Sequence, residues 1–208
     1  MSFATRNFAN SDISDRRLYF ITGVSNGMVG LLQRAITGGA DIVQIRDKQL
    51  SDRELLPWLE KARSVTRDHG IPLVINDRPD LAELVDADYV HVGQDDVPVE
   101  LARRIIRGVG QSTHTPAQVK NSKADYIGVG PIYATPTKQG REPVGLKLIR
   151  YAAEHASQPW FAIGGIDEKS VAAVVSAGAT RIAVVRAIAD SSNPEKVARV
   201  LRKRLEEA

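Results

Sequence analysis

The sequence contains no cysteine. Disulfide bridges, thiolate metal sites and cysteine nucleophiles are therefore excluded, and a cytoplasmic location is favoured over a secreted one. Aromatic residues are also scarce, at 5%, although hydrophobic residues together reach 43%. A core built mainly from valine, isoleucine, leucine and alanine is more typical of a parallel α/β protein than of an aromatic-rich β-sandwich.

Long hydrophobic runs are missing as well. No stretch approaches the ~18 apolar residues of a membrane span, and the first 17 residues lack the apolar segment of a secretory signal. We therefore expect no interaction with a membrane. Residues 1–15 are predicted to form a mobile polar tail, and residues 16–208 a single domain, because this length suits the larger single-domain folds.

No large excess of one charge sign is present either. The chain has 28 lysines and arginines against 25 acids, which gives a net charge of +3 at pH 7. The cations are spread along predicted helices, as in 53–70, or stand beside acids, as in 202–208, and no aromatic residues interleave with a basic run. This pattern is typical of solvated helix faces, so we predict no nucleic-acid partner.

Eight short runs rich in valine and isoleucine alternate with helical segments. The runs are 18–22, 41–47, 72–77, 89–94, 109–113, 125–131, 160–166 and 181–188. A strand–helix unit repeated eight times predicts an all-parallel sheet, and eight units close naturally into a barrel. The predicted fold class is therefore α/β, a single parallel eight-stranded (β/α)8 TIM barrel. A doubly wound open sheet is the alternative, but the segment after the first run lacks the G-x-G-x-x-G pattern of that fold.

Local signals mark the ends of several elements. Ser51 and Glu54 form a capping-box pattern, and Thr115 and Asn193 each precede a proline suited to the first helical position. One type of helix-to-strand turn is reused before the second, fourth, sixth and eighth runs, in the segments GGAD, ELVDAD, SKAD and AGAT. This repetition supports a barrel built from similar units.

The end of the second run carries two cations on one face. In the segment IVQIRDK, over 42–48, Gln44, Arg46 and Lys48 stand at alternate positions, and residues two apart on a strand share a face. Burying an unpaired charge is costly. The spacing therefore predicts an anionic ligand at this point, where the active site of such a barrel lies.

A glycine pair follows the seventh run. Gly164 and Gly165 precede a helix that we predict to be capped by Asp167. Backbone N–H groups at a helix N-terminus bind anions, and phosphate sites after the seventh and eighth strands are frequent in this fold. The alternative is that the glycines only allow a tight turn. We favour a phosphate site.

Two carboxylates end neighbouring strands. Asp77 and Asp96 suit Mg²⁺, which takes one or two protein carboxylates together with substrate phosphate oxygens. Alternatively, both acids simply lead into helices, where they favour the helix dipole. The loop over 131–145 is longer than the usual ~2–6 residues, so it is predicted either to close over phosphate as a lid or to be a mobile surface loop.

A lone histidine, His114, follows the fifth run. It is a candidate acid or base, and equally a packed or hydrogen-bonded structural residue. The order of the residues indicates no Ser-His-Asp triad.

Taken in order, these segments resemble the thiamine-phosphate synthase family, also called thiamine-phosphate pyrophosphorylase. The resemblance extends from residue 18 to about residue 188 and rests on QIRDK, INDR, HVGQDD, STHT, DYIGVGPIYATPTK, AIGGI and the VV-x-AI ending. It implies a (β/α)8 barrel that joins hydroxymethylpyrimidine diphosphate to hydroxyethylthiazole phosphate, or to its carboxylated precursor, and releases pyrophosphate. Two small-molecule substrates and one Mg²⁺ ion per site are implied, and a homo-oligomer is left open.

The resemblance also implies roles for individual residues. The pyrimidine diphosphate would be bound by Gln44, Ile45, Arg46, Asp47, Lys48, Asn76, Ser112 and Lys138. The thiazole phosphate would be bound by Thr135, Pro136, Thr137, Gly165, Val185 and Arg186. Asp77 and Asp96 would hold Mg²⁺ on the diphosphate, and the catalytic residues would be Arg46, Lys48 and Lys138.

One position departs from the family pattern, because many members have serine where this chain has Arg186. Two other functions stay open. A thiazole tautomerase of the same fold uses a histidine, for which His114 is the candidate, and it has no diphosphate leaving group to bind. A non-catalytic regulatory relative would be expected to lose Arg46, Lys48, Asp77 or Asp96, and all four are present.

Overall fold

The computed structural model describes residues 12–135 and 142–207. Within them, eight parallel strands pair in chain order and close into a barrel, with the first strand beside the last. The strands are β1 Leu18–Thr22, β2 Ile42–Ile45, β3 Leu73–Asn76, β4 Tyr89–Val92, β5 Gly108–Thr113, β6 Tyr126–Val129, β7 Trp160–Ile163 and β8 Ile182–Val184. The predicted (β/α)8 barrel is confirmed.

Helices follow each strand and pack around the barrel. They are α1 Met28–Thr37, α2 Asp52–Asp68, α3 Pro79–Leu84, α4 Val99–Ala102, α5 Pro116–Asn121, α6 Gly145–His155, α7 Val171–Ser176, α8 Arg186–Ala189 and α9 Pro194–Glu206. No helix in the described ranges is both long and apolar enough to cross a bilayer.

The helix signals in the sequence operate as predicted. At the start of α2, the Glu54 carboxylate accepts hydrogen bonds from the backbone N–H and the hydroxyl of Ser51. Thr115 caps α5 and Asn193 caps α9, each by accepting from the backbone N–H three residues later. These caps satisfy N–H groups that have no partner within their helix.

The hydrophobic core has two layers. The outer layer fills the space between the strands and the helices, with residues such as Leu32, Leu59 and Val90 fully buried. The inner layer fills the barrel itself and consists of Ile13, Tyr19, Ile21, Ile42, Val74, Tyr126, Phe161 and Ala183. Alternation along each strand divides its side chains between the two layers.

Glycines in β5 make room for tyrosines in the inner layer. A Cβ atom on Gly110 would lie 2.1 Å from Cζ of Tyr126, and one on Gly108 would lie 2.4 Å from Cδ1 of Tyr89. Any larger residue at these positions would displace a ring from the neighbouring strand. This requirement explains why β5 has few of the β-branched residues that usually mark a strand.

The repeated Ala-Asp turns form a series of clamps at the N-terminal end of the barrel. The carboxylate of Asp41 accepts from the N–H groups of Arg17 and Leu18 at the start of β1. The Asp88 and Asp125 carboxylates accept in the same way from the N–H groups of Leu73 in β3 and Val109 in β5. Each of these acids also pairs with an arginine, so each clamp ties one strand to the strand before it.

Most predicted runs extend one to three residues past the observed strands, and two predictions about where helices begin were wrong. The run over 181–188 is not one strand, because β8 ends at Val184 and α8 begins at Arg186. The helix after β7 is not capped by Asp167, because α7 begins at Val171. The Asp167 side chain instead accepts from the N–H groups of Lys169 and Ser170 in a turn that precedes the helix.

Only part of the predicted N-terminal tail lies within the described residues. Of the tail predicted over 1–15, residues 1–11 lie outside the described ranges. Ile13 is 3% exposed and belongs to the inner core layer, and its carbonyl accepts from the N–H of Arg16. Packing of the barrel therefore begins before residue 16.

Candidate active site

A cavity of about 350 Å³ opens at the C-terminal ends of the strands. This is the end of the barrel where we predicted the site. Most of the predicted site residues that are described line this one cavity: Gln44, Arg46, Lys48, Asn76, Asp77, Asp96, Ser112, Thr135, Gly165, Val185 and Arg186. Arg46 and Asp96 therefore share a cavity, as the interpretation of the sequence requires.

Two predicted residues are described but do not line the cavity. The side chain of Ile45 is buried in the outer core layer. The carboxylate of Asp47 accepts from the backbone N–H groups of Val24, Gln49 and Leu50. Burial raises the pKa of Asp47, but these hydrogen bonds outweigh it and hold the pKa below the usual value. Asp47 therefore braces the loop after β2.

Three predicted residues, Pro136, Thr137 and Lys138, lie outside the described ranges, as does the middle of the predicted lid, 136–141. The base of that loop is described. Val144 donates to the Pro131 carbonyl and Gly145 donates to the Ile132 carbonyl. These bonds hold the two ends of the loop together beside the cavity.

The alternation predicted for β2 places its polar side chains correctly. Gln44 is buried and points into the barrel, and Arg46 and Lys48 follow on the same side, beyond the last strand residue. The Lys48 ammonium lies 3.0 Å from the Asp77 carboxylate. No carboxylate of the described residues pairs with Arg46, so its guanidinium is left to face the cavity.

Asp77 has an unusual backbone conformation. Its φ is +61°, in the left-handed region that residues other than glycine rarely adopt. Such strain is held only where the surrounding structure fixes it, and it clusters at functional sites. Here the N–H of Asp77 donates to the His91 carbonyl, 2.8 Å away, which ties the end of β3 to β4. The conformation brings the Asp77 side chain to the cavity wall.

The carboxylates of Asp77 and Asp96 are close neighbours. Burial raises the pKa of Asp77, and Asp96 raises it further, while the hydrogen bond from Lys48 opposes both effects. Asp96 is held in place by the N–H of Gly93, 2.7 Å from its Oδ2. Two acids so close together repel each other when both are ionised, and a bound cation would relieve that repulsion.

The donor set fits Mg²⁺ better than a metal that needs a complete protein cage. No group of three or more His, Cys, Asp or Glu side chains suited to a metal occurs in residues 12–135 and 142–207. Mg²⁺ is usually held by one or two carboxylates and completes its coordination with waters and phosphate oxygens. The pair Asp77 and Asp96 meets that requirement only if a phosphate-bearing ligand is also present.

The glycine pair after β7 is needed for the turn. Gly164 has a φ of +104° and Gly165 a φ of +66°. A Cβ atom on Gly165 would lie 2.7 Å from Cβ of Tyr133. The tight-turn role is therefore present. Because both glycines line the cavity next to Arg186 at the start of α8, the phosphate role stays a prediction that this geometry allows.

His114 has a defined orientation at the cavity wall. Its Nδ1 lies within hydrogen-bond distance of the Gly130 carbonyl oxygen. A carbonyl can only accept, so the neutral ring carries its proton on Nδ1. Its part in proton transfer stays a prediction.

The residue pattern did not single out Tyr19 and His91, which also line the cavity. Both lie within strands, whereas we looked for site residues at strand ends. The signal was available, because Tyr19 and His91 have the strand parity that points into the barrel.

Comparison with known proteins gives a consistent result. A family model described as thiamine monophosphate synthase matches residues 18–188. A thiamine-phosphate synthase of Thermus thermophilus is 48% identical over 178 residues, which cover 83% of this chain and 86% of that protein. One of Gloeobacter violaceus is 44% identical over 199 residues, which cover 93% of this chain but 58% of that longer protein.

Solved structures agree with the sequence comparison. A thiamine phosphate pyrophosphorylase from Pyrococcus furiosus superposes with a TM-score of 0.83 at 30% identity, covering 93% of this chain and 97% of that one. A 3-hexulose-6-phosphate synthase superposes with a TM-score of 0.66 at 18% identity, which shows a shared fold. The match over 18–188 spans all eight strands and every described residue of the cavity. The chain is a member of the thiamine monophosphate synthase family.

Proposed function

We propose that this chain is a thiamine-phosphate synthase, a transferase that joins hydroxymethylpyrimidine diphosphate to hydroxyethylthiazole phosphate or its carboxylated precursor. The observation that carries the proposal is the convergence of Arg46, Lys48 and the Asp77–Asp96 pair on one cavity. A diphosphate can interact with all of these groups, because it pairs with cations and completes the coordination of a metal held by carboxylates.

The reaction needs positive charge beside the diphosphate leaving group. The C–O bond between the pyrimidine methylene and the diphosphate breaks, and its electron pair leaves with the diphosphate. Arg46 and Lys48 face the position where this negative charge develops, and preorganised cations stabilise it there. When bound, a Mg²⁺ ion held by Asp77 and Asp96 supplies further positive charge to the leaving group.

No protein nucleophile is required. The electron-rich aminopyrimidine stabilises the methylene cation, and the thiazole nitrogen then forms the new C–N bond to it. This is consistent with a chain that has no cysteine. The remaining task of the protein is to orient two bound substrates, which by itself lowers the barrier substantially.

The thiazole phosphate is proposed to bind at the part of the cavity that follows β6, β7 and β8. Thr135, the N–H of Gly165 and the start of α8 at Val185 and Arg186 line that side. No acid in the described residues pairs with Arg186, so its guanidinium is available to an anionic group of the ligand. Pro136, Thr137 and Lys138 retain the roles that the family resemblance implies.

The direct test is to mix the purified protein with both substrates and Mg²⁺ and to follow pyrophosphate and thiamine phosphate. We expect both products, their loss in EDTA and their return when Mg²⁺ is added in excess. The variant Asp96→Asn should lower kcat/KM by about 100-fold. The matched control is Asp95→Asn, an adjacent acid that does not line the cavity, and it should stay within about threefold of the wild type.

Two results would contradict parts of the proposal. If no thiamine phosphate forms under any condition, the assigned reaction is wrong. If it forms equally well in EDTA, the reaction stands but Asp77 and Asp96 do not act through a metal. Thiazole tautomerase activity, the alternative that uses His114, is tested in the same protein by supplying the thiazole substrate alone. A cytoplasmic location and a homo-oligomer remain predictions.

A further inference from the structure

A chain of hydrogen bonds runs through the barrel beneath the cavity. It joins Gln44 on β2 to Tyr19 on β1, then to Tyr126 on β6, His91 on β4 and Ser112 on β5. The two tyrosine hydroxyls are 2.9 Å apart, Nδ1 of His91 lies 3.1 Å from the Tyr126 hydroxyl, and Nε2 lies 3.0 Å from the Ser112 hydroxyl. Both ends of the chain, Gln44 and Ser112, line the cavity.

Four of the five residues in this chain of hydrogen bonds are buried, and His91 is partly exposed. Tyr126 is fully buried, Tyr19 and Gln44 are each 2% exposed, and Ser112 is 7% exposed. Burial raises the pKa of both tyrosines well above the usual value, so their hydroxyls keep their protons. In such surroundings each hydroxyl needs its partners, because an unsatisfied buried polar group costs about 1–3 kcal/mol. The links therefore depend on one another.

The direction of the chain follows from its first link. The amide nitrogen of Gln44 donates to the Tyr19 oxygen, and an amide nitrogen can only donate. The arrangement that gives each tyrosine proton an acceptor has Tyr19 donating to Tyr126 and Tyr126 donating to Nδ1 of His91. In this arrangement His91 carries its proton on Nε2 and donates to Ser112. This tautomer is the opposite of the one that the Gly130 carbonyl imposes on His114.

The direction fixes what the two ends offer to a ligand. The amide nitrogen of Gln44 is used by Tyr19, which leaves the amide oxygen as the acceptor at that end. The Ser112 oxygen accepts from His91, so its own proton is directed away from His91. The cavity floor thus presents an acceptor on one side and a hydroxyl donor on the other. Reversing the chain would exchange these two properties.

We propose that the Gln44–Tyr19–Tyr126–His91–Ser112 chain is a positioning network that sets the hydrogen-bond polarity of the pyrimidine subsite, and that it makes the site select an aminopyrimidine over the corresponding oxopyrimidine. The proposal rests on the proposed function, because that function places the pyrimidine between Gln44 and Ser112. An aminopyrimidine has an amino group that donates and ring nitrogens that accept. An oxopyrimidine reverses this pattern, with an oxygen that accepts and a ring N–H that donates.

The first experiment interrupts the chain at its centre. Tyr126→Phe removes one hydroxyl and keeps the ring that packs edge-on against Tyr19 and Phe161. The matched control is Tyr89→Phe, whose ring packs against Tyr126 at 5.7 Å and whose hydroxyl takes part in none of the four hydrogen bonds named above. Calorimetry without the thiazole substrate measures the affinity of each variant for the amino and the oxo pyrimidine diphosphates, so that recognition is separated from bond breaking.

We expect wild type and Tyr89→Phe to prefer the amino compound by the same factor. Tyr126→Phe should reduce that preference about tenfold, because His91 loses the donor that fixes its tautomer. An unchanged preference in Tyr126→Phe would overturn the proposal. The proposed function fails separately, if the wild-type protein forms no thiamine phosphate.

The second experiment needs no substitution within the hydrogen-bonded network. The ring-nitrogen chemical shifts of ¹⁵N-labelled histidines report which nitrogen carries the proton. We expect His91 to be protonated on Nε2 and His114 on Nδ1, with His114→Gln used to assign the second signal. If His91 carries its proton on Nδ1, the chain runs in the other direction and the assigned selectivity is wrong. This result stands even if Tyr126→Phe does not fold.

Discussion

The two ends of the barrel differ in how far their charged residues are paired, although Lys48 at the C-terminal end does pair with Asp77. At the N-terminal end, the acids of the repeated turns pair with arginines of the chain: Asp41 with Arg202, Asp88 with Arg63 and Asp125 with Arg103. At the C-terminal end, Arg46 and Arg186 line the cavity, and no described acid pairs with either one.

This difference separates stability from function. Acids and bases paired within the chain are satisfied before any ligand arrives, so their contribution is to the folded state. Unpaired cations at a cavity contribute little to folding, and can even lower stability, but they are ready to bind an anion. The general division of labour in this fold, with stability at one end and chemistry at the other, is thus visible in the pairing of individual charges.

The largest effect is expected from replacing Arg46 at the C-terminal end of the barrel. Arg46→Ala should lower kcat/KM by about 100-fold or more, because a cation facing the leaving diphosphate is lost, while the melting temperature changes by less than about 2 °C. Steady-state kinetics and thermal unfolding measure the two quantities. Arg78→Ala is the control, since Arg78 follows the neighbouring strand but is paired with Asp52 and Asp80. Comparable losses of activity in both variants would remove the distinction between paired and unpaired arginines.

A smaller effect is expected at the paired end. Asp41→Asn should lower the free energy of unfolding by about 2–3 kcal/mol, because Arg202 loses its buried partner and the N–H groups at the start of β1 lose a charged acceptor. Denaturant unfolding measures this, and kcat/KM of the folded protein should be unchanged. Glu206→Gln touches the same arginine, but Glu206 is 56% exposed whereas Asp41 is 15% exposed. This control should cost at most about 0.5 kcal/mol, and an equal cost for the two acids would contradict the argument from burial.

The smallest effect is expected for Asp47. This acid lies near the cavity, but its carboxylate, like those of the acids at the N-terminal end, accepts hydrogen bonds from backbone N–H groups. Its hydrogen bonds from backbone N–H groups lower its pKa in the folded state. The stability it provides is therefore present above the unfolded pKa of ~3.9 and is lost as the pH falls through the lower, folded value. Asp47→Asn should melt below the wild type at pH 7, and the two melting curves should converge towards pH 3. A difference that does not depend on pH would show that the charge of Asp47 is not what braces the loop.

The fold was largely predictable because its signals are local and repeated. Eight β-branched runs, the caps at Ser51, Thr115 and Asn193, and the Ala-Asp turns each report on a few neighbouring residues, and all agree with one architecture. The alternation of Gln44, Arg46 and Lys48 likewise depends only on the geometry of one strand. For the same reason, the cavity could be assembled from the residues at the strand ends.

The remaining features depend on contacts between distant residues. Glycines in β5 make it look weak as a strand, yet Gly110 is required by the ring of Tyr126, sixteen positions later. The apolar run through β8 gives no sign of the turn at Val185, where the chain leaves the barrel and starts a helix. The buried network through His91 joins five strands, so no single segment of the sequence contains it. Asp47 shares the polar character of its neighbours, and only the loop geometry shows that it braces the backbone.

Each clamp at the N-terminal end joins two neighbouring strands. Three alternate strand pairs have a clamp, and the fourth does not. Carboxylates staple β1 to β2, β3 to β4 and β5 to β6, but Thr180 occupies the equivalent position before β8. The β7–β8 pair also has the shortest register, with two aligned residue pairs. Among the four strand pairs that follow this alternating pattern, β7–β8 is therefore the one without a carboxylate clamp, and Gly165 and Arg186 follow the C-terminal ends of its two strands. We expect local opening of the sheet to be easier at β7–β8 than at the three clamped pairs, on the side of the cavity where the thiazole phosphate is proposed to bind.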